Sequence, residues 1–125
     1  MRLWNGWGNE DSDLTMELSS GLSMLLEALV GTGTALPQAT LNDVIFKVPN
    51  TRLENHPLII TDPETRVRHS RGQSLPDWLE MHSGNVDTFP DGVAFPESSE
   101  QVRELLAHAK ENNLVVIPYG GGTSV

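Results

Sequence analysis

The residues with the clearest chemical potential form a glycine-rich segment, Tyr-Gly-Gly-Gly-Thr-Ser-Val, at positions 119–125. Three consecutive glycines let the backbone adopt positive φ angles and remove every Cβ that would keep a ligand away. Successive N–H groups can then converge on an anion such as a pyrophosphate. Thr123 and Ser124 add hydroxyl donors. The segment lacks the lysine of a P-loop and the glycine spacing of the Rossmann fingerprint, so neither common nucleotide-binding motif is present.

The lack of basic residues near this segment in the sequence limits the kind of ligand that it could bind. The closest basic residue upstream in the sequence is Lys110, which lies in the preceding predicted helix. The segment therefore offers amide dipoles rather than side-chain charge, which suits a cofactor held by the backbone better than a phosphoryl group in transfer. A simple turn after a strand is the alternative, because short glycine motifs alone do not distinguish the two.

A strand–helix–strand unit is predicted to carry the glycine segment. The run Gly92–Pro96 is rich in β-formers, and Leu114–Pro118 is a nearly continuous apolar strand of the kind that is covered on both faces. Between them, Ser98 and Gln101 match a capping box, and Asn112-Asn113 can end a helix. The apolar face of this helix has the spacing i, i+3, i+4, i+7 and consists of Val102, Leu105, Leu106 and Ala109.

Further helices are predicted upstream. Leucines at helical spacing begin at Leu18, and Gly31 closes that helix. Its leucine face must pack on something, either the core or a subunit contact. A short helix can follow Thr40, and another can begin with Ser74 as N-cap and stop at Gly84.

The remaining upstream segments are predicted to be extended or irregular. Residues 58–61 and 66–70 each have the composition or alternation of a short strand. Residues 1–17 contain Trp4, Trp7 and an acidic run, which is typical of an irregular arm held against a neighbouring surface by its aromatic side chains.

Composition excludes several classes of function. The 125 residues include 17 acidic and 8 basic side chains, a net charge of −9, which argues against a nucleic-acid partner. The longest apolar run, Leu22–Val30, is well short of the ~20 residues that span a bilayer, so no transmembrane segment is expected. There is no export signal and no cysteine, and we expect a cytoplasmic protein.

Taken in order, the residues 90–96, 98–113 and 116–125 resemble the opening of the FAD-binding domain of the vanillyl-alcohol oxidase and p-cresol methylhydroxylase (PCMH) superfamily. The resemblance implies FAD as cofactor, with its pyrophosphate wrapped by the glycine segment. The cofactor-binding residues that it implies are Pro118, Tyr119, Gly120, Gly121, Gly122, Thr123, Ser124 and Val125.

Two further segments look like the alkyldihydroxyacetonephosphate synthases of that superfamily and their bacterial relatives: Trp4-Asn5-Gly6-Trp7-Gly8, and the run from Arg68 to Ser74. That subfamily exchanges an acyl group for a fatty alcohol on dihydroxyacetone phosphate, using FAD without net oxidation. Other relatives oxidise 2-hydroxy acids such as glycolate or D-lactate. A non-catalytic binding module is the third alternative. The resemblance thus implies a small-molecule or lipid-precursor substrate for the intact protein. It also implies that the intact protein could form a homodimer.

The expected fold class is α+β, with a mainly helical and irregular extension over residues 1–85 and the start of a PCMH-type FAD-binding domain over residues 86–125. On this interpretation the chain is an N-terminal fragment cut within its cofactor loop. We then expect the intact parent to bind FAD, and the fragment to bind it weakly or not at all and to be inactive. No catalytic residue is assigned, because the resemblance implies that these residues lie beyond residue 125.

The four histidines do not suggest a metal site. His56, His69, His82 and His108 lack the i, i+3 or i, i+4 spacing of a metal-binding helix, and there is no cysteine to complete a ligand set. His108 is expected on a solvated helix face. His69 could serve a substrate or the flavin edge, but a histidine at a strand end with a hydrogen bond to the backbone is the simpler interpretation.

Overall fold

The computed structural model describes residues 2–6, 8–11, 20–35 and 37–123, and in these residues the protein is partly helical with very little strand. The helices are α1 (Ser20–Val30), α2 (Leu41–Ile45), α3 (Pro63–Arg68), α4 (Leu75–Ser83) and α5 (Ser99–Glu111). Pairing between extended segments is limited, in this part of the chain, to two isolated antiparallel bridges, Arg2–Asn9 and Ile60–Val93. No helix among the described residues is both long enough and apolar enough to cross a membrane.

Capping side chains set where α2 and α4 begin. The Thr40 hydroxyl accepts from the Asp43 amide, and the Asp43 carboxylate accepts from the Thr40 amide at 2.8 Å. Ser74 and Asp77 form the same reciprocal pair. Each pair satisfies two backbone N–H groups that have no partner within the helix. The helices predicted after Thr40 and Ser74 are therefore confirmed.

The helix predicted after Ser98 is also confirmed, with one change at its cap. The Ser98 hydroxyl accepts from the Gln101 amide at 3.2 Å, but the Gln101 side chain accepts from the Glu97 amide at 2.6 Å rather than from Ser98. At the other end, Asn112 is the C-cap and Asn113 takes a φ of 54°. Asparagine tolerates this left-handed conformation, which is why the helix can end here.

The strand predicted over residues 66–70 is wrong, because these residues lie in α3 and the turn that follows it. Asp62 is the N-cap, and its carboxylate accepts from the Thr65 amide at 3.0 Å. Pro63 occupies the first turn, where its fixed φ favours a helix. An alternation over five residues is too short to distinguish the strand period of two residues from the helix period of 3.6. The Asp62 cap and Pro63 in the first turn favour the helix.

The other predicted strands do not form ladders in the described residues. The segments 58–61 and 92–96 meet only where Ile60 and Val93 exchange hydrogen bonds of 2.8 and 2.9 Å. The segment 114–118, predicted to be covered on both faces, is irregular, and Val115 and Ile117 are 89% and 80% exposed. Since a strand needs a hydrogen-bonded neighbour, the predicted strand–helix–strand unit is here a helix between two irregular segments.

The small hydrophobic core lies between α2, α3 and α4. Its buried members are Val44, Val67, Met81 and Val86. Trp4 of the N-terminal arm packs against this cluster, so the predicted anchoring of the arm by an aromatic side chain is confirmed for Trp4. Burial of each aliphatic side chain contributes about 1.5–3 kcal/mol. Trp7 lies outside the described residues.

α1 does not join this core. The predicted start at Leu18 lies outside the described residues, and the described helix ends at Val30, before Gly31. No residue of α1 is buried, and Leu25 and Leu29 are 53% and 73% exposed. The leucine pattern therefore predicted the helix correctly, whereas the expected packing of its apolar face is absent among the described residues.

Arg66 is a buried cation that connects three segments of the chain. Its side chain is 2% exposed, with Nε donating to the Pro90 carbonyl at 2.6 Å and Nη1 to the Pro49 carbonyl at 2.8 Å. A buried guanidinium is tolerated only when its donors find acceptors. Nη2 finds none among the described residues. The two bonds that do form hold residue 90, where the C-terminal third of the chain begins, against α3.

Replacing Gly84 by alanine should destabilise the fold, because Gly84 has a φ of 69° and a Cβ there would lie 2.5 Å from the Ala39 Cβ. We expect a loss of about 3 kcal/mol in the free energy of unfolding, measured by urea denaturation. Gly31→Ala is the matched control, because Gly31 has a φ of 97° but open space around it. Equal losses in both variants would show that the contact with Ala39 has no effect.

Stability should fall in acid as Asp91 becomes protonated. The hydrogen bond from the Arg52 side chain holds the pKa of Asp91 below its ordinary value of 3.8, and the bond to Thr65 does the same for the pKa of Asp62. A carboxyl with a lowered folded-state pKa contributes stability above pH 3.8, and loses it as the pH falls through the folded value. Asp91→Asn should therefore be less stable than the unaltered chain at pH 7, and the difference should shrink as the pH falls below 3.8. A constant difference in unfolding midpoint would contradict this assignment.

Candidate cofactor loop

The described part of the predicted site, residues 118–123, is called the glycine loop below; Ser124 and Val125 lie outside the described residues. The loop folds back onto two segments that are distant in sequence. Nη2 of Arg2 donates to the Gly121 carbonyl at 2.9 Å. A Cβ placed on Gly72 would lie 3.0 Å from the Gly122 carbonyl oxygen, so the backbones of these two glycines approach closely.

The glycines of the loop have different roles. Gly122 takes a φ of 72°, and a Cβ there would overlap the Tyr119 hydroxyl, so no other residue can occupy this position without strain. Gly120 and Gly121 do not have positive φ angles. A Cβ on Gly120 would meet no atom within 4 Å, and this open space is what a ligand close to the backbone needs.

The polar backbone groups of the loop are turned in opposite directions. The carbonyls of Gly121 and Gly122 face Arg2 and Gly72, that is, the body of the protein. Because a trans peptide is planar with its C=O and N–H antiparallel, the amides of Gly122 and Thr123 point about the opposite way, outward. In the part of the chain that the structure describes, none of the amides from Gly120 to Thr123 donates a hydrogen bond. The amides of Gly122 and Thr123 are thus available donors that point away from these contacts.

Tyr119 anchors the start of the loop. Its hydroxyl donates to the Arg71 carbonyl at 3.2 Å, and its ring meets the His69 ring edge to face with centroids 5.0 Å apart. His69 also contacts Phe95, at 5.3 Å, and its Nδ1 lies 2.7 Å from the Thr65 carbonyl oxygen. The predicted hydrogen bond from His69 to the backbone is confirmed, although His69 caps a helix and does not end a strand.

Arg71 holds the segment on which Tyr119 rests. Its Nε donates to the Glu80 carboxylate at 2.6 Å, and Nη2 to Asp87 at 3.2 Å. Nη1 donates to the carbonyls of Ser70 and Thr88, both at 3.0 Å. With two carboxylates beside it, the Arg71 charge is neutralised locally, and its role at the loop is to fix the backbone.

The N-terminal arm, residues 2–11, lies beside the glycine loop. Arg2 and Asn9 form an antiparallel bridge, and the Leu3 amide donates to the Gly8 carbonyl at 3.0 Å. Arg68 ties the arm to α3, because Nη1 donates to the Arg2 carbonyl at 2.8 Å and Nη2 lies 3.3 Å from the Glu10 carboxylate. Arg2 is therefore held in place through its backbone.

A cavity of about 130 Å³ lies where these segments meet, lined by Arg2, Gly8, Gln73 and Thr123. The sequence predicts a loop without a nearby basic side chain, and that prediction is wrong because Arg2 contacts it. The two partners are 119 positions apart, which no local pattern could reveal. The approach of Gly72 was likewise not predicted, although the run from Arg68 to Ser74 contributed to the family resemblance.

The histidines form no metal cluster among the described residues. His108, expected on a solvated face, instead stacks on His56 with ring centroids 4.4 Å apart. His56 accepts from the Leu58 amide at 3.2 Å and lies 3.7 Å from the Glu104 carboxylate. This pair attaches α5 to the segment before Leu58. None of these contacts involves the glycine loop.

Comparisons with known proteins agree with these observations. Residues 90–125 match a family described as FAD binding domain. The alkyldihydroxyacetonephosphate synthase of Caenorhabditis elegans is 24% identical over an alignment of 151 residues that covers 98% of this chain. That of Dictyostelium discoideum is 38% identical over 64 residues, which are 51% of this chain and 10% of that protein.

The fold is similar to that of a solved alkyldihydroxyacetonephosphate synthase. A structure of that enzyme in crystal form P1 superposes on 99% of this chain with a TM-score of 0.73 at 22% identity. The chain spans 25% of the length of the Caenorhabditis elegans protein and 29% of the solved chain. These similarities support the resemblance inferred from the sequence, and the matched family description agrees with FAD as the expected cofactor.

Gly72→Ala should displace the glycine loop. The added Cβ would lie 3.0 Å from both the Gly122 carbonyl oxygen and the Asp77 carboxylate, and Asp77 is tied to the Ser74 cap. We expect a loss of about 1 kcal/mol in stability and shifted amide resonances at Gly121–Thr123 in ¹H–¹⁵N spectra.

Gly21→Ala is the control for that measurement, because it adds a methyl group in α1 with no atom within 4 Å. Loop resonances that stay unchanged in the Gly72 variant would contradict the close approach of the two backbones.

Proposed function

We propose that this chain, whose residues 90–125 belong to the FAD binding domain family, holds the pyrophosphate of FAD on the amides of its glycine loop. The proposed contact residues are those of the sequence prediction: Pro118, Tyr119, Gly120, Gly121, Gly122, Thr123, Ser124 and Val125. The bound flavin would supply electron transfer. The observation that carries the proposal is that the amides from Gly120 to Thr123 have no acceptor among the described residues. Those of Gly122 and Thr123 point away from the carbonyls that contact Arg2 and Gly72.

The loop also has room for an anion. Open space over Gly120 allows a ligand to approach the backbone, and backbone amides at successive positions are groups that bind anions. The Asp77 carboxylate, which lies beside Gly72, accepts hydrogen bonds from the Ser74 amide and hydroxyl, at 3.0 and 2.5 Å. Its charge is directed into the helix cap, which limits its repulsion of a pyrophosphate.

The proposed site includes residues on both sides of the proposed domain boundary between residues 85 and 86. Arg2 and Arg71 contact the loop from the N-terminal part, through the Gly121 carbonyl and the Tyr119 hydroxyl. Arg66 holds residue 90 in the same way. On this proposal, the N-terminal extension is a structural support for the cofactor loop and not a separate functional unit.

We propose synthase-type chemistry for a protein that contains this chain, in preference to oxidation of a 2-hydroxy acid. The support is the similarity to an alkyldihydroxyacetonephosphate synthase over 98% of the chain, which includes the arm that lies on the glycine loop. The substrate would then be a lipid precursor. No described residue is proposed as catalytic, because the residues around the loop are engaged in holding its backbone.

FAD binding by the chain should depend on the glycine at position 120. We expect FAD to shift the amide resonances of Gly120–Thr123, and we expect Gly120→Ala to weaken binding about tenfold, or about 1.4 kcal/mol. The added methyl group meets no protein atom, so the loss would come from crowding of the ligand. The measurement is a ¹H–¹⁵N titration up to millimolar FAD, which detects weak binding.

Two comparisons make this titration decisive. ADP, which contains a pyrophosphate, should shift the same amides, whereas riboflavin, which contains none, should not. Gly21→Ala in α1 should bind FAD as the unaltered chain does, since its methyl group also meets open space. Absence of any FAD-dependent shift in the loop, or equal affinity of the Gly120 variant, would overturn the proposal.

A further inference from the structure

We propose that Arg2 is a positioning residue for this cofactor site, an inference that rests on the proposed function. Its guanidinium would hold the peptide group between Gly121 and Gly122 with the carbonyl inward, and so keep the Gly122 amide outward for the pyrophosphate. The contact that points to this role is the hydrogen bond from Arg2 Nη2 to the Gly121 carbonyl, at 2.9 Å.

A peptide group between two glycines needs such a constraint. Neither residue has a Cβ, so both orientations of the peptide plane are sterically allowed, and rotation exchanges an outward N–H for an outward C=O. An outward carbonyl would repel a phosphate oxygen. The neighbouring peptide is constrained differently, since the Gly122 carbonyl is packed against Gly72 and cannot rotate freely. Arg2 therefore acts on the peptide that packing leaves least restricted.

The other arginines are engaged elsewhere. Four of them pair with carboxylates, and Arg66 donates to two carbonyls in the interior. Those four are Arg52, Arg68, Arg71 and Arg103. Arg2 has no carboxylate partner among the described residues, and its guanidinium lines the cavity beside Thr123. In a chain with a net charge of −9, this leaves its cation available to the loop.

The position of Arg2 does not depend on the loop itself. Its carbonyl accepts from Arg68 Nη1 at 2.8 Å, and Arg68 in turn pairs with Glu64 at 2.9 Å. The bridge to Asn9 and the packing of Trp4 on the core hold the arm from its other side. A support fixed to α3 thus reaches the loop through one side chain.

Substitutions at Arg2 can separate positioning from charge. Lysine retains the charge and a donor, and methionine retains neither. If Arg2 positions the peptide, Arg2→Met should weaken FAD binding about tenfold, whereas the lysine variant should stay within about threefold of the unaltered chain. Without FAD, the Gly122 amide resonance should move or broaden in the methionine variant only.

Arg103→Met is the matched control, because it removes the same charge from an exposed pair on α5. It should leave both FAD affinity and the Gly122 resonance unchanged. The Trp4 indole resonance reports whether the arm stays docked in each variant. These readouts, with the Gly120→Ala result beside them, separate a failure of this inference from a failure of the proposed function.

The outcomes distinguish the role of Arg2 from the proposed function of the loop. Normal FAD affinity in Arg2→Met, with the loss retained in Gly120→Ala, would overturn the role of Arg2 and leave the proposed function in place. Weaker FAD binding in Arg2→Met with an unmoved Gly122 resonance in the absence of FAD would overturn positioning in favour of a purely electrostatic role. An unaltered chain whose loop amides do not respond to FAD would overturn both.

Discussion

The structure depends on hydrogen bonds from arginine side chains to backbone carbonyls of distant segments. Where the described residues pair so little as strands, the carbonyls of irregular segments need donor partners of another kind. The segment 66–71 supplies them, with Arg66 reaching the carbonyls of Pro49 and Pro90, and Arg71 reaching Thr88. Arg68 does the same for the arm. Three neighbouring arginines thereby fix the backbone of segments that the small core does not cover.

This arrangement explains how an acidic chain uses its few cations. With 8 basic against 17 acidic side chains, a diffuse positive surface cannot form. The planar guanidinium has five donors, so one arginine can satisfy a carboxylate and one or more carbonyls together. Arg71 does so with Glu80, Asp87 and two carbonyls. The cations are used to order the backbone, and in the proposed function the ligand is bound by the amides.

The glycine loop is the segment whose conformation depends most clearly on such contacts. Glycine makes a close approach of ligand to backbone possible, but it also removes the steric preference that would select one conformation. Contacts with residues outside the loop select one conformation. The Tyr119 hydroxyl donates to the Arg71 carbonyl, the Gly72 backbone packs against Gly122, and Arg2 donates to the Gly121 carbonyl. Because these contacts come from the first 72 residues, the N-terminal part and the loop are physically coupled.

The sequence by itself determined the features that depend on neighbours within about four positions. The caps at Ser74 and Ser98 were predicted correctly because a side chain and the amide that it bonds are three residues apart. The order of motifs around the glycines also indicated the FAD binding domain family, whose model matches residues 90–125. Only the tertiary structure decided that residues 114–118 have no strand partner among the described residues, that the His108 ring packs against His56, and that Arg2 reaches Gly121. Strand pairing and long-range contacts join residues whose separation leaves no periodic trace, so packing of the whole chain has to select them.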